Sequence, residues 1–200
     1  MFPLGGVLFP SVVLPLHVFE PRYRALVDDC LAGRSEFGVV LIQRGSEVGG
    51  DDVRTDVGTV SRIVEAMRMD DGRWVLNTVG TRRIRIDRWL PDDPYPRAEV
   101  QDWPDDEHEG DLDAAYQEGV RNLRRVLALK AELGEDAAPA TIELTDEPGL
   151  GSYQLCALAP FGPLDQQRLL ASPGAASRLE EVGRMLAEEA GFLEQRLRMG

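Results

Sequence analysis

The chain has 200 residues, 43% of them apolar, and carries 22 basic and 35 acidic side chains for a net charge of −13. A chain of this length buries enough surface to fold without disulfides or metal. Its acidity argues against a general nucleic-acid binder and against a protein held electrostatically on anionic membranes, since both need a basic surface. Lys130 is the only lysine, and no glycine loop precedes it, which excludes a P-loop; Ser–Lys or Schiff-base chemistry would have to use that one residue. Cys30 and Cys156 are the only cysteines, too few for a disulfide framework or a structural zinc site, and this usage suits a reducing cytoplasm. The apolar run Val12 to Phe19 is interrupted by Pro15 and His17, and it is too short for a signal peptide or a membrane span. The expected location is therefore cytoplasmic.

In chain order, Val12 to Val18 reads as a buried strand. Glu20-Pro21 then opens a helix, with Pro21 at its first position and Tyr23, Leu26, Val27, Cys30 and Leu31 on one face; Gly33 ends it. Phe37 to Ile42 is a continuous apolar strand, followed by a loop from Gly45 to Asp56 that contains Gly49-Gly50-Asp51-Asp52. Val57 to Met69 and Arg73 to Val79 flank Asp70-Asp71-Gly72, the pattern of a hairpin with an Asp-Gly turn. Gly80-Thr81 reads as punctuation before an alternating strand with Ile84, Ile86 and Leu90 on one face and Arg83, Arg85 and Asp87 on the other; Arg97 to Trp103 is a last strand. Strands that follow one another so closely, with one early helix, predict a mainly antiparallel barrel closing on itself.

From Pro104 to Asp111 the chain has no apolar residue and reads as an acidic linker, dividing a β-barrel subdomain (1–103) from a helical subdomain (112–200). Residues 1–103 carry 13 basic and 16 acidic side chains (net −3), and 104–200 carry 9 and 19 (net −10). Tyr116, Val120, Leu123 and Leu127 form one helical stripe; Leu179, Val182, Leu186, Ala190, Leu193 and Leu197 form another. Between them, Ser152 is expected to cap a short helix through Ala159, and Asp165 to start one ending near Ser172. The fold class is α+β.

No catalytic constellation is visible. His17 and His108 are the only histidines, His17 reads as a core or barrel-rim residue, and no nucleophile elbow precedes a helix. No metal site is expected: the linker mimics a calcium loop at Asp105, Glu107, Glu109 and Gly110, but Tyr116 stands where a bidentate Glu is required. The pairs Asp28-Asp29, Asp51-Asp52 and Asp92-Asp93 are sequence neighbours that point to different faces, so they read as solvated charge. Arg82, Arg83, Arg85 and Arg88 form the one basic cluster, read as the solvent face of a strand and, in the alternative, as an RNA-binding row. Trp89 and Phe161 are the candidate peptide-binding aromatics if the fold exposes them.

The segments Phe2-Pro-Leu, Phe9-Pro10, Leu14-Pro-Leu-His-Val-Phe-Glu-Pro-Arg-Tyr-Arg-Ala-Leu26, Phe37 to Ile42, Val57-Gly-Thr-Val60, Val79-Gly80-Thr-Arg-Arg83, Asp165 to Leu170 and Arg178-Leu179 together resemble the amino-terminal substrate-binding domain of Lon proteases. The resemblance covers nearly the whole chain and implies a PUA-like β-barrel followed by a helical bundle. It also implies recognition of exposed apolar or unfolded protein segments, and the expected mode is burial of their side chains in a groove between barrel and bundle, with strand addition at a sheet edge as the second. Pro15, Phe19, Glu20, Pro21, Arg22 and Tyr23 are expected to be structural, holding the strand-to-helix joint. With no P-loop and one lysine, the chain resembles stand-alone bacterial Lon-domain proteins without ATPase or protease modules. The expectation is a non-enzymatic module without cofactors, with protein segments and a separate protease or chaperone as partners, no membrane, and RNA binding as the runner-up.

Overall fold

Pro21 fixes the first turn of a helix, the Asp-Gly turn fixes a long hairpin, and the β-branched runs between them pair into one sheet. These elements are described by a computed structural model for residues 1–45, 53–108 and 110–199. The chain divides into two units, Met1–Pro104 and Asp105–Gly200. The segment from Gly49 to Asp52 within the expected loop, and Glu109 in the calcium-loop comparison, lie outside the described residues.

The first unit contains β1 (Phe2–Leu4), β2 (Val13–Val18), α1 (Pro21–Ala32), β3 (Glu36–Arg44), β4 (Val53–Arg68), β5 (Trp74–Leu90) and β6 (Arg97–Asp102). The strand order is β1-β3-β4-β5-β2, with β6 also on β5. Only β1 with β3 is parallel; the other pairs are antiparallel. One edge of β5 is shared, with β2 on Trp74–Val79 and β6 on Ile84–Leu90.

Three expectations change. Phe2–Leu4 is a strand, although three residues with a parallel partner more than thirty positions away carry no local signal. Gly80-Thr81 does not interrupt the hairpin arm: β5 runs through both, because Gly80 lets the Leu8–Val12 segment lie directly on it. The sheet does not close by hydrogen bonding, since β1 and β2 end its path and no ladder joins them among the described residues.

The hairpin turn is as expected. Gly72 adopts φ 83°, its N–H donates to the Met69 carbonyl at 2.9 Å, and the Asp71 carboxylate accepts from the Arg73 backbone N–H at 3.1 Å. In α1, Tyr23, Leu26 and Val27 are buried, while Leu31 at the end of the apolar face is exposed. The core gathers Phe2, Val18, Tyr23, Phe37 and Leu76, with the Phe2 and Tyr23 rings stacked at 4.2 Å.

The second unit contains α2 (Asp113–Glu132), α3 (Pro148–Leu158), α4 (Pro163–Leu170) and α5 (Ala175–Met199). The two expected stripes face each other, as Tyr116, Val120, Leu123 and Leu127 on α2 and Leu179, Val182, Leu186 and Leu193 on α5 are all buried. Ser152 is not a cap. Glu147 caps α3, accepting from the N–H groups of Gly149 and Leu150, and Ser152 lies inside the helix, buried against Arg178. Nor is the whole acidic stretch a solvated linker. Asp105 belongs to the helical unit, where its carboxylate accepts from Arg178 and from the Tyr153 hydroxyl at 2.8 Å.

Both cysteines are free. Burial pushes the Cys156 thiol up to about 12 and raises that of Cys30 as well. The thiolate is the nucleophile, so neither side chain reacts readily near pH 8. A thiol-disulfide reagent should titrate partly buried Cys30 slowly in the native protein and Cys156 only after denaturation; fast native labelling of Cys156 contradicts this packing.

Candidate functional site

The two ends of the sheet approach one another without pairing, and an apolar cleft lies between them. Leu4 of β1 and Leu16 of β2 line two adjoining cavities. One, of about 120 Å³, is bounded by Phe2, Val18, Phe19 and Tyr23. The other, of about 250 Å³, is bounded by Val7, Leu8 and Leu14. The walls follow from strand alternation. Leu14, Leu16 and Val18 turn inward along β2, whereas Val13, Pro15 and His17 face solvent.

The cleft floor is the core itself, since Phe2, Leu8, Val18 and Tyr23 are buried there. Phe19, at the mouth, is 53% exposed. Its neighbours on the rim carry little bare charge. Glu20 pairs with Arg22 at 3.1 Å, and Arg22 also lies 4.5 Å from the Tyr23 ring centroid. The His17 ring meets Phe19 edge-on at 6.4 Å. No hydrogen bond joins His17 to a serine or carboxylate among the described residues, so the geometry of a nucleophile–base pair is not met. Most of the side chains lining the cleft are apolar.

The sequence-selected residues lie elsewhere. Trp89 is half-buried near the end of β5, packed with Val40, Val60, Ile84 and Ile86, and the Arg54 guanidinium covers its ring at 4.7 Å. Phe161 stands in the other unit, half-buried before α4. The arginine row does not form one positive face. Arg83, expected on the solvent side, is 2% exposed, stacked on Trp103 at 4.3 Å and donating to the Pro104 carbonyl at 3.3 Å. Arg85 covers the same indole at 4.1 Å. Arg82 pairs with Glu36 and Asp102, and Arg88 with Glu99. Phosphate binding would have to break these pairs.

Of the carboxylate neighbours, Asp92 and Asp93 separate as expected, Asp92 meeting Arg54 at 3.7 Å and Asp93 meeting Arg97 at 4.0 Å; Asp29 accepts from the Tyr95 hydroxyl at 2.6 Å, and Asp51-Asp52 lies outside the described residues. Among the described residues no group of histidine, cysteine and carboxylate side chains has metal-holding geometry, and no helix is long and apolar enough to cross a membrane. Sequence reasoning did not single out the cleft. Its one local signal was the crowding of Phe2, Phe9 and Phe19 near the amino end.

Comparison with known proteins bears on this arrangement. Residues 1–188 match the family model of the ATP-dependent protease La (LON) substrate-binding domain. The chain is 27% identical over 194 residues to Lon protease 2 of Herpetosiphon aurantiacus, covering 96% of this chain and 24% of that protein. It is 31% identical over 195 residues to Lon protease 2 of Sorangium cellulosum, again spanning 24% of the longer protein. Among solved structures, a Lon N-terminal domain protein from Xanthomonas campestris superposes with a TM-score of 0.64 at 31% identity, covering 90% of this chain and 94% of that one. The N-terminal domain of Mycobacterium avium complex Lon protease has the same fold, with a TM-score of 0.65 at 18% identity over 94% of this chain and 96% of that one. The matched region of the Lon enzymes is their substrate-binding domain, apart from the modules that hydrolyse ATP or cleave peptides. This chain belongs to the LON substrate-binding domain family.

Proposed function

We propose that the protein is a non-enzymatic recognition module that binds exposed apolar segments of unfolded proteins, and that the cleft between β1 and β2 receives their side chains. The observation that carries this reading is the cleft itself: a mainly apolar lining, with His17 and Glu20 beside a half-exposed Phe19 at its mouth. The family description, a substrate-binding domain, supports the same class of ligand. An apolar side chain entering the cleft gains about 1.5–3 kcal/mol from leaving water. Strand addition at the flanking edges is the weaker contribution on β2, where Pro15 has no N–H to donate. The reading requires no cofactor and no covalent step. Delivery of the bound segment to a separate protease is the cellular role that fits it.

The test is the binding of a labelled, permanently unfolded protein, such as a reduced and carboxymethylated one, followed by fluorescence anisotropy. Phe19→Ala should weaken binding about 5- to 30-fold, the equivalent of about 1–2 kcal/mol, with thermal stability unchanged. No binding by the unaltered chain at high micromolar concentration, or equal affinity of the Phe19→Ala variant, sinks the proposal.

A further inference from the structure

A second groove, unrelated to the cleft, lies in the helical unit between α4 and α5. It is open, about 520 Å³ in volume, and Phe161, Met185 and Phe192 supply its apolar surface. Along α5, Met185, Glu188, Glu189 and Phe192 recur at helical spacing, so they form a stripe beside the buried one of Val182, Leu186 and Leu193. Phe192 is 57% exposed and Leu164, on the first turn of α4, is 63% exposed. Phe161 is held by its own backbone, its N–H donating to the Ala159 carbonyl at 2.8 Å.

The charges in the groove do not cancel. Its two cations are engaged within the unit: Arg168 pairs with Glu181 and with Asp165 at 3.7 Å, and Arg184 pairs with Glu188 at 2.7 Å and with Glu181 at 3.5 Å. Glu189, half-buried on the groove wall, has no ion pair among the described residues. The Arg196 guanidinium lies 5.8 Å from the Phe192 ring centroid, so this ring already meets one cation of its own chain. The surrounding field has the same sign, because this half of the chain holds 19 acidic against 9 basic residues.

We infer that the α4–α5 groove docks a basic amphipathic helix, with apolar side chains against Phe161, Met185 and Phe192 and lysine or arginine against Glu189 and Glu188. The groove sets three apolar side chains among acidic ones, a pattern that an amphipathic helix with a basic polar face complements. This site recognises cationic segments, whereas the cleft of the first unit selects on apolarity alone, and the inference does not depend on that cleft.

The full chain is titrated with two labelled peptides of about 18 residues, one a Leu/Lys helix and one its Leu/Glu counterpart. The Leu/Lys peptide should bind at least tenfold more tightly than the Leu/Glu peptide, and its affinity should fall with added salt. Phe192→Ala should weaken it about tenfold and Glu189→Gln about threefold, with helix content unchanged. Phe161→Ala serves as a second apolar variant should Phe192→Ala disturb the fold. Glu132→Gln, an exposed carboxylate on α2, should have no effect. Equal loss in Glu132→Gln and Glu189→Gln identifies diffuse attraction to an acidic protein and overturns the proposal. So does equal binding of the two peptides. If Phe19→Ala weakens the Leu/Lys peptide as much as Phe192→Ala does, the peptide sits in the cleft and the groove assignment falls.

Discussion

Replacing Arg178 with methionine should lower the stability of the helical unit by about 3–5 kcal/mol, the range for breaking a buried ion pair. The Arg178 side chain is wholly buried. Its Nε donates to Ser152 Oγ at 2.8 Å, while Nη1 and Nη2 both donate to the Asp105 carboxylate. The guanidinium carbon lies 3.6 Å from the centroid of the Tyr153 ring, and the Tyr153 hydroxyl donates to the same carboxylate. Methionine fills much of the volume but leaves Asp105 ionised beside a buried wall with its principal counterion gone. Lysine is no substitute, because a single ammonium cannot reproduce the two-pronged contact with Asp105 together with the bond to Ser152. Urea unfolding followed at 222 nm reads the effect. A combined Arg178→Met and Asp105→Leu variant should recover part of the loss, since removing both charges leaves none stranded. A loss under about 1 kcal/mol for Arg178→Met would mean that water reaches and screens the pair.

Arg178 belongs to a segment that carries the family resemblance, but no local pattern distinguishes its buried role from that of an exposed arginine one step off an apolar stripe, and this limit recurs throughout the molecule. What was legible is local. The Asp-Gly turn, the alternation of Ile84 and Ile86, Pro21 at a helix start, and the stripes of α2 and α5 each express a contact within a few residues. What was not legible depends on partners far away in the chain. Arg83 obeys the alternation of its strand only until Trp103, twenty positions later, offers an aromatic face that allows a guanidinium to be buried. Phe2–Leu4 becomes a strand only because Val39–Leu41 lies alongside.

The candidate cleft is hidden for the same reason. Leu14 and Leu16 read as ordinary inward residues, and only the failure of β1 and β2 to pair leaves them lining a cavity. Phe161 was singled out as an aromatic in a loop, and the structure gives it a groove that Phe192 and Met185 complete. Trp89 was singled out on equal grounds and is instead packed beneath Arg54.

Gly80→Ala should cost the first unit about 3 kcal/mol or more, at or beyond the upper end of the range for overpacking a core. A methyl group at this position would stand 2.2 Å from the Phe9 carbonyl oxygen and 3.2 Å from Thr59 Cγ2. No rotamer relieves a clash with a backbone atom, so either β5 or the Leu8–Val12 segment must move. Both are tied. The Ser11 N–H donates to the Gly80 carbonyl at 2.8 Å, the Gly80 N–H donates to the Val12 carbonyl at 2.9 Å, and the Thr59 hydroxyl donates to the Leu8 carbonyl at 2.6 Å. Phe9 is itself 1% exposed, so withdrawing the segment also uncovers a core aromatic. That segment connects β1 to β2, the two walls of the cleft, so a Gly80→Ala protein that still folds should lose affinity for apolar segments along with its stability. Tryptophan fluorescence is the suitable probe, because Trp74, Trp89 and Trp103 all lie in this unit. Gly6→Ala is the control: nothing stands within 4 Å of its added methyl, and its stability should stay within about 0.5 kcal/mol of the parent. A Gly80→Ala protein as stable as the Gly6→Ala control would show that the Phe9 carbonyl does not rest on β5, and the cleft would then lack the wall described for it.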